Sequence, residues 1–441
     1  MRGVRSSFDA FATELDLTPS TPLQSRSDAT KLDLTPKHLL RWRPGAYARD
    51  GACIFMWLLL RAAAQAATVL LLARWLGAEG YGVFVAALAV ASFFTPLAGM
   101  GMAAILLRDG AREPERIDAL LRQALRWWRR SAVLSIGVGV LAMQWGLPSA
   151  LPWAPLVALA AGEIAAGSLV EILSRMAQAR HRAARFGAIQ AGLPGVRLLA
   201  LLALAMFAVP TPTLWMLVYG ASSLGYAAAL LWVETRSIQP MPSAHIAARD
   251  GLPFVTGALS YRLQAEFNKP VLAHLGYAQA GAFGIAQRVV DLAALPLSAL
   301  QEALWPRLFA SADPRKRALR SGAALLLLAL LAGGVLMLAA PLLPWLLGAD
   351  YEAAANTLVW LAFLPALQVA RNLGNAWLMA CGQTAILNPV YIAASVVGML
   401  LTVVLAPRFG LNGAAAAAYG AEATALLAQW LLPKWEKEGG R

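Results

Sequence analysis

Apolar positions along the chain fall into long runs separated by short polar stretches. The runs lie near 52–73, 80–107, 131–150, 153–176, 188–208 and 213–233, then near 252–275, 280–305, 321–347, 353–380, 388–406 and 413–432. Each is close to the length of a membrane-crossing helix, which needs about 20 mostly apolar residues. The pattern predicts an all-α polytopic membrane protein of about 12 transmembrane helices.

Charge placement supports that map. Loops on the cytoplasmic side of a membrane are enriched in Lys and Arg. With the segments numbered in order from an inside N-terminus, the inside stretches hold 29 basic residues, and the outside loops hold only Arg74 and Arg408. The bias supports an even number of crossings, in the cell inner membrane, with both termini cytoplasmic. Composition agrees: 14% of residues are charged and 59% hydrophobic, whereas soluble domains carry about 25% charged residues. A net charge of +13 would suggest nucleic acid in a soluble protein. Here the charge lines the ends of apolar runs, so the expected partner is the lipid bilayer and no nucleic acid. Residues 1–50 lack the apolar run of a cleavable signal, so the first helix is expected to insert uncleaved.

The chain divides into a disordered cytoplasmic tail (1–50), a six-helix lobe (51–233), a cytoplasmic linker (234–251), a second six-helix lobe (252–432) and a short cytoplasmic tail (433–441). The long tail repeats a pentapeptide, Leu15-Asp16-Leu17-Thr18-Pro19 and Leu32-Asp33-Leu34-Thr35-Pro36; this is either a docking motif or chance in a low-complexity segment. The stretch 112–130 spaces Ile117, Leu120, Leu121, Ala124, Leu125 and Trp128 at helical intervals among arginines. It is expected to lie on the cytoplasmic leaflet as an amphipathic anchor.

The two lobes echo each other. Leu76-Gly77, Gly82 and Phe84 recur as Leu275-Gly276, Gly281 and Phe283, at an offset of 199 residues. Six helices separate the copies, which keeps their orientation, so the lobes read as two parallel-repeat six-helix bundles around a central cavity.

Six cations sit inside the apolar runs: Arg61, Arg197, Arg262, Lys269, Arg288 and Arg371. Each costs roughly 2.5–3.5 kcal/mol at the bilayer centre on insertion scales, and such residues by default mark a substrate path. Polar neighbours extend them into stripes: Gln65 follows Arg61, Asn372 and Asn375 follow Arg371, and Tyr219 heads an uncharged stripe. Arg262, Glu266 and Lys269 share a helix face, as do Arg288 and Asp291, so pairing along the helix is the structural alternative. For the uncharged stripe the alternative is helix–helix hydrogen bonding. Arg61, Arg197 and Arg371 have no carboxylate within one helical turn. Guanidinium groups present forked donors that match phosphate oxygens, so the six cations are candidates for an anionic head group. Glu163, Glu266 and Asp291 are candidates for ion coupling.

Cys53 and Cys381 cannot form a disulfide framework or a metal spacing, the four histidines are scattered, and no nucleophile constellation or phosphate-cradling loop occurs. No cofactor, metal or catalytic residue is expected, and the chain reads as a transporter rather than an enzyme.

Three stretches resemble the polysaccharide-transport, Wzx-like flippases of the multidrug/oligosaccharidyl-lipid/polysaccharide exporter superfamily. They are Arg74-Trp75-Leu76-Gly77 through Phe84, residues 346–363 (LLGADYEAAANTLVWLAF) and residues 407–417 (PRFGLNGAAAA). The resemblance implies two six-helix bundles and transport of undecaprenyl-diphosphate-linked oligosaccharide, a repeat unit of O-antigen, capsule or exopolysaccharide, from the cytoplasmic to the periplasmic leaflet. It also implies basic residues in the cavity, which agrees with Arg61, Arg262 and Arg288, and assembly proteins such as a polysaccharide polymerase as further partners. Where family members carry Asp-Arg near the end of helix seven, this chain has Asn268-Lys269. The alternatives are a multidrug-type cation-coupled exporter, which would favour acidic cavity groups, a peptidoglycan-precursor flippase, disfavoured because those resemble fourteen-helix proteins and this chain shows twelve runs, and a membrane-embedded glycosyltransferase or polymerase.

Overall fold

A computed structural model of the chain describes residues 46–236, 247–309 and 314–438. The pentapeptide repeats lie outside them. The described residues are almost wholly helical, without a strand. The helices are α1 (Ala46–Phe94), α2 (Met102–Arg112), α3 (Ile117–Gly146), α4 (Trp153–Ala160), α5 (Gly167–Ala179), α6 (Ala183–Phe207) and α7 (Pro212–Thr235), followed by α8 (Ala248–Glu266), α9 (Asn268–Ala273), α10 (Tyr277–Phe309), α11 (Pro314–Ala339), α12 (Leu342–Leu347), α13 (Glu352–Leu361), α14 (Leu364–Ala380) and α15 (Leu387–Glu438). Helix therefore starts inside the expected N-terminal tail and runs into the expected C-terminal one.

Seven of these stretches are long and apolar enough to cross a membrane, or eight if the bent pair Ala349–Leu361 and Leu364–Ala380 is one span. Two are longer than a bilayer. The 49 residues of α1 would run about 73 Å as one straight rod, against about 30 Å of hydrocarbon. α1 breaks at Gly77 (φ 65°) and α15 at Gly410 (φ 57°), in a left-handed conformation that glycine adopts without strain. Splitting both helices at these glycines is compatible with the twelve crossings expected from the sequence.

The repeat glycines meet. A Cβ on Gly82 would lie 1.8 Å from the carbonyl oxygen of Tyr277, and one on Gly281 would lie 2.2 Å from that of Ala78. The two contacts are reciprocal at the offset of 199 read from the sequence, as a two-fold axis between parallel repeats requires. α1 and α10 cross backbone to backbone there, which only glycine allows.

Burial shows where the lobes are joined. The largest core cluster contains residues of both lobes, among them Leu72, Tyr81, Phe84 and Trp215 with Phe283, Leu343, Tyr351 and Leu358. These surround the turns at Gly77 and Gly276, the end opposite the arginine-rich loops. Hydrogen bonds link the lobes at this end: Arg74 Nη1 to Leu346 O (2.5 Å), Tyr351 Oη to Ala73 O (3.0 Å), and Ser149 with the Tyr277 hydroxyl (2.8 Å). The clusters nearer the basic end stay within one lobe each. The lobes also approach each other there at Met100 and Gly251, where a Cβ on Gly251 would lie 1.9 Å from the Met100 carbonyl oxygen.

The stretch 112–130 is not a leaflet anchor. Ile117, Leu120, Leu121 and Ala124 are buried against α2 and α5, and the Trp128 indole donates to Ala165 O and Ser168 Oγ, both at 3.1 Å. The stripe that faces lipid in the sequence reading faces the neighbouring helices instead, and the segment forms the first turns of α3.

Candidate functional site

Between the lobes lies a cavity of about 1580 Å³. Seven arginines and five carboxylates border it, so it is densely charged with a small cationic excess. Five of the six embedded cations reach it: Arg61, Arg197, Arg262, Arg288 and Arg371. So do Gln65, Tyr219, Asn372, Glu163, Glu266 and Asp291.

The first-lobe wall is held by two networks. On α1, Arg61 Nη1 donates to Gln190 Oε1 (2.8 Å), and Gln190 Nε2 donates to Glu171 Oε2 (2.9 Å). Arg175 closes the other side of Glu171 at 2.7 Å. Deeper, Arg197 on α6 lies 3.4 Å from Glu163 Oε2, donates to Ser223 Oγ at 2.9 Å and stacks 3.9 Å over the Tyr219 ring. The Tyr219 hydroxyl donates to the same Glu163 oxygen at 2.5 Å. A π-helical turn, Ala161–Ala166, carries Glu163. Such turns are rare and frequent at functional sites; here the Gly162 carbonyl accepts from Arg197 at 3.4 Å. Gly162 also abuts Gly220, where a Cβ would lie 2.8 Å from the Gly220 Cα. That close approach brings Tyr219 within reach of Glu163.

The second-lobe wall is different. Lys269 pairs with Glu266 one turn away, but it is 4% exposed and does not border the cavity. Asn268 beside it accepts from Thr402 Oγ1 at 2.5 Å. Arg371 lies 3.0 Å from Glu422 on α15. Among the described residues, Arg262 and Arg288 make neither a hydrogen bond nor an ion pair. Their guanidinium groups face the cavity, with Arg61 near enough to Arg262 to feel its charge across the cleft. Glu266, Asp291, Tyr81 and Glu163 are the electrostatic neighbours of Arg288, the last two from the opposite lobe.

Two assignments made from the sequence change. Lys269 is shut behind Glu266, because α9 turns it into the second-lobe core, so it does not meet a ligand in this state. Asn375 is not cavity lining: it is 5% exposed, donates to the Tyr391 hydroxyl at 2.7 Å and accepts from Gln429 at 2.6 Å. Of the pairings along one helix, Glu266 with Lys269 forms; among the described residues Arg262 with Glu266 and Arg288 with Asp291 do not. Sequence reasoning missed Gln190, Gln264 and the pairing of Glu422 with Arg371, whose partners come from other helices and leave no signal in local spacing, whereas Glu171 meets Arg175 one turn along its own helix.

Comparison with known proteins places this geometry. No curated protein sequence matches the chain. Among solved structures, the chain is similar to the lipid II flippase MurJ in an inward closed conformation, with a TM-score of 0.67, 12% identity and 87% of each chain covered. It is also similar to a multidrug resistance MATE family transporter of the MOP superfamily in its inward-facing conformation (TM-score 0.63, 14% identity, covering 86% of this chain and 96% of that one). An outward-facing conformation of such a transporter gives a TM-score of 0.56 at 14% identity, covering 86% and 93%. The fold is therefore that of the MOP-superfamily transporters. The sequence profile described as "Polysaccharide biosynthesis protein" matches residues 47–311, more than half of the chain, and the chain belongs to that family.

Proposed function

We infer that this protein is a flippase that moves undecaprenyl-diphosphate-linked oligosaccharide, a polysaccharide repeat unit, from the cytoplasmic to the periplasmic leaflet by alternating access. The observation that carries this reading is the pair Arg262 and Arg288, which face a wide cavity between two lobes and, among the described residues, make no ion pair or hydrogen bond, with Glu266 and Asp291 acting on Arg288 only at longer range. Guanidinium groups without a directly bonded partner inside a membrane are costly, and a diphosphate head group supplies a contacting anion with matching fork geometry. Arg61 reaches the same space from the first lobe, and Arg197 and Arg371 stand by in ion pairs. Gln65, Gln190, Asn372 and Tyr219 offer donors and acceptors suited to sugar hydroxyls. The lipid tail stays in the bilayer while the head group enters.

The basic end is cytoplasmic by the positive-inside rule, which puts both termini in the cytoplasm of an inner-membrane protein and the joined end on the periplasmic side. The two lobes are the units that rock. Glu163, Glu266 and Asp291 border the head-group space and are the candidates for coupling ion movement to it. The chemistry is transport rather than catalysis, with polysaccharide polymerase and other assembly proteins acting on what it delivers.

The five cavity carboxylates favour a second reading, a multidrug-type exporter of cations. Deletion separates the two: in the flippase reading, lipid-linked repeat units accumulate on the inner leaflet and glycan export stops. Normal leaflet distribution with intact export, together with new sensitivity to cationic drugs, would establish the second.

A further inference from the structure

Two of the ion pairs at the cavity wall, Arg197–Glu163 and Arg371–Glu422, are built differently. Arg197 is held on several sides, by Glu163, Ser223, the Gly162 carbonyl and the Tyr219 ring. Among the described residues, the Arg371 side chain is held by Glu422 alone. Its Nε lies 3.0 Å from Glu422 Oε2, with the side chains 8% and 6% exposed, yet neither atom makes a hydrogen bond. The distance is short but the N–H does not point along it, so charge rather than a directed bond holds the pair. Both residues nevertheless border the cavity.

The surroundings of Glu422 are short of hydrogens. Its other oxygen accepts from Gln264 Nε2 at 3.1 Å. Gln264 Oε1, Gln429 Oε1 and Glu422 Oε2 are buried acceptors without donors, against one unmet donor at Arg371 Nε. Gln429 is fixed by donating to Arg371 O and Asn375 Oδ1, so it does not turn to help. Charged and titratable groups face this site from every neighbouring helix. Arg371 on α14 is the cation that acts on Glu422. Tyr391 on α15 and Tyr261 on α8 both feel Arg371. Lys269 on α9 is engaged with Glu266, and Arg262 on α8 opens to the cavity. Once another anion holds Arg371, no second cation compensates Glu422. A buried carboxylate left alone neutralises by taking a proton rather than staying charged.

We propose that Glu422 occupies Arg371 as a stand-in anion in the empty cavity, that an entering phosphate-bearing lipid head group takes over Arg371, and that the displaced carboxylate then takes up a proton from the cavity. This rests on the head-group reading above and adds a coupling site to it: head-group binding and protonation are one event, on a residue outside the candidates read from the sequence. Glu422 acts through Arg371 and is a positioning residue. In its protonated form it also donates to a network that lacks donors.

Calorimetry on the full-length protein tests this, with farnesyl diphosphate as the probe at about pH 8, above the phosphate's second ionisation near 6. Titration in two buffers of different ionisation enthalpy reads proton uptake. The unaltered protein is expected to bind with uptake of about one proton per ligand. Glu422→Gln is expected to bind about 5- to 150-fold more tightly, the usual range of site coupling, with no uptake. Binding by the unaltered protein without proton uptake overturns the proposal, as does a Glu422→Gln variant that keeps wild-type affinity and uptake. The two-buffer measurement decides the matter even where the variant does not fold. Failure of the unaltered protein to bind at all would overturn the head-group reading itself. Inorganic pyrophosphate is the comparison ligand: weaker binding is expected, and equal affinity would identify a free anion instead of a lipid head group.

Discussion

Gly281→Ala should force open the seal at which the two lobes are joined, the periplasmic end in the proposed orientation. A Cβ there would lie 2.2 Å from the Ala78 carbonyl oxygen, a separation that real Cβ contacts essentially never show, and the neighbour is backbone. α1 and α10 must move apart by roughly 1 Å before the methyl fits, and overpacking of this kind costs about 1–3 kcal/mol. That converts to a shift of roughly 5- to 150-fold away from the joined state. The reciprocal change Gly82→Ala meets the Tyr277 carbonyl at 1.8 Å and should act at least as strongly. Because either methyl wedges the same crossing, the double variant should shift less than the product of the two. The assay is a single cysteine at Leu343, buried in the two-lobe core, with Cys53 and Cys381 replaced by Ala. A membrane-impermeant maleimide added to intact cells labels it only when the seal parts. Labelling should rise by the factor above at unchanged protein level. Unchanged labelling in both glycine variants would refute the reasoning, because the crossing would then be no part of the seal.

Other outcomes follow from the cavity and the packing. Arg262→Gln and Arg288→Gln should each lower glycan export about 10-fold or more, as expected for a charge-assisted contact of about 1.5–3 kcal/mol, with the protein level intact; Lys at either position should restore part of it, and full activity of the Gln variants would remove both from the site. Glu163→Gln should lower the melting temperature by leaving Arg197 without its counter-ion, a change of about 3–5 kcal/mol for a buried pair, and adding Arg197→Gln should recover most of the loss; if the double variant melts no higher than the single one, the pair is not coupled. Trp128→Phe loses two indole hydrogen bonds and should destabilise by about 1–2 kcal/mol in chemical denaturation while export continues; no loss would return residues 117–128 to the lipid surface.

What the sequence revealed depended on whether the signal was local. Apolar runs and the distribution of Lys and Arg are local, and they described an all-helical membrane protein. The repeat was legible because the Gly82 and Gly281 positions tolerate no side chain, and that same intolerance makes them the crossing point. Helical spacing placed Arg61, Gln65 and Tyr219 on cavity faces, since a side chain's face follows from its position in the turn. Spacing failed where tertiary packing decided. Lys269 and Asn375 share helices with cavity residues, yet both are buried inside the second lobe, Lys269 against Glu266 and Asn375 where α14 packs on α15. The amphipathic stripe at 117–128 gave the right face but the wrong neighbour, because hydrophobic periodicity does not distinguish lipid from another helix. Glu171 and Glu422 find their arginines on the same helix and on a distant one respectively, and only the second kind is invisible in a single sequence.

The central claim is that the cavity moves a lipid-borne diphosphate. The most direct measurement is leaflet exchange in proteoliposomes holding the purified protein and a fluorescent isoprenyl-diphosphate-linked oligosaccharide, read as the fraction of probe accessible to an external quencher over time. Protein-dependent exchange is expected, slowed about 10-fold or more by Arg262→Gln and by Arg288→Gln, with no transport of a cationic dye by the same vesicles. Exchange no faster than in protein-free vesicles, or undiminished in both variants, would contradict that claim.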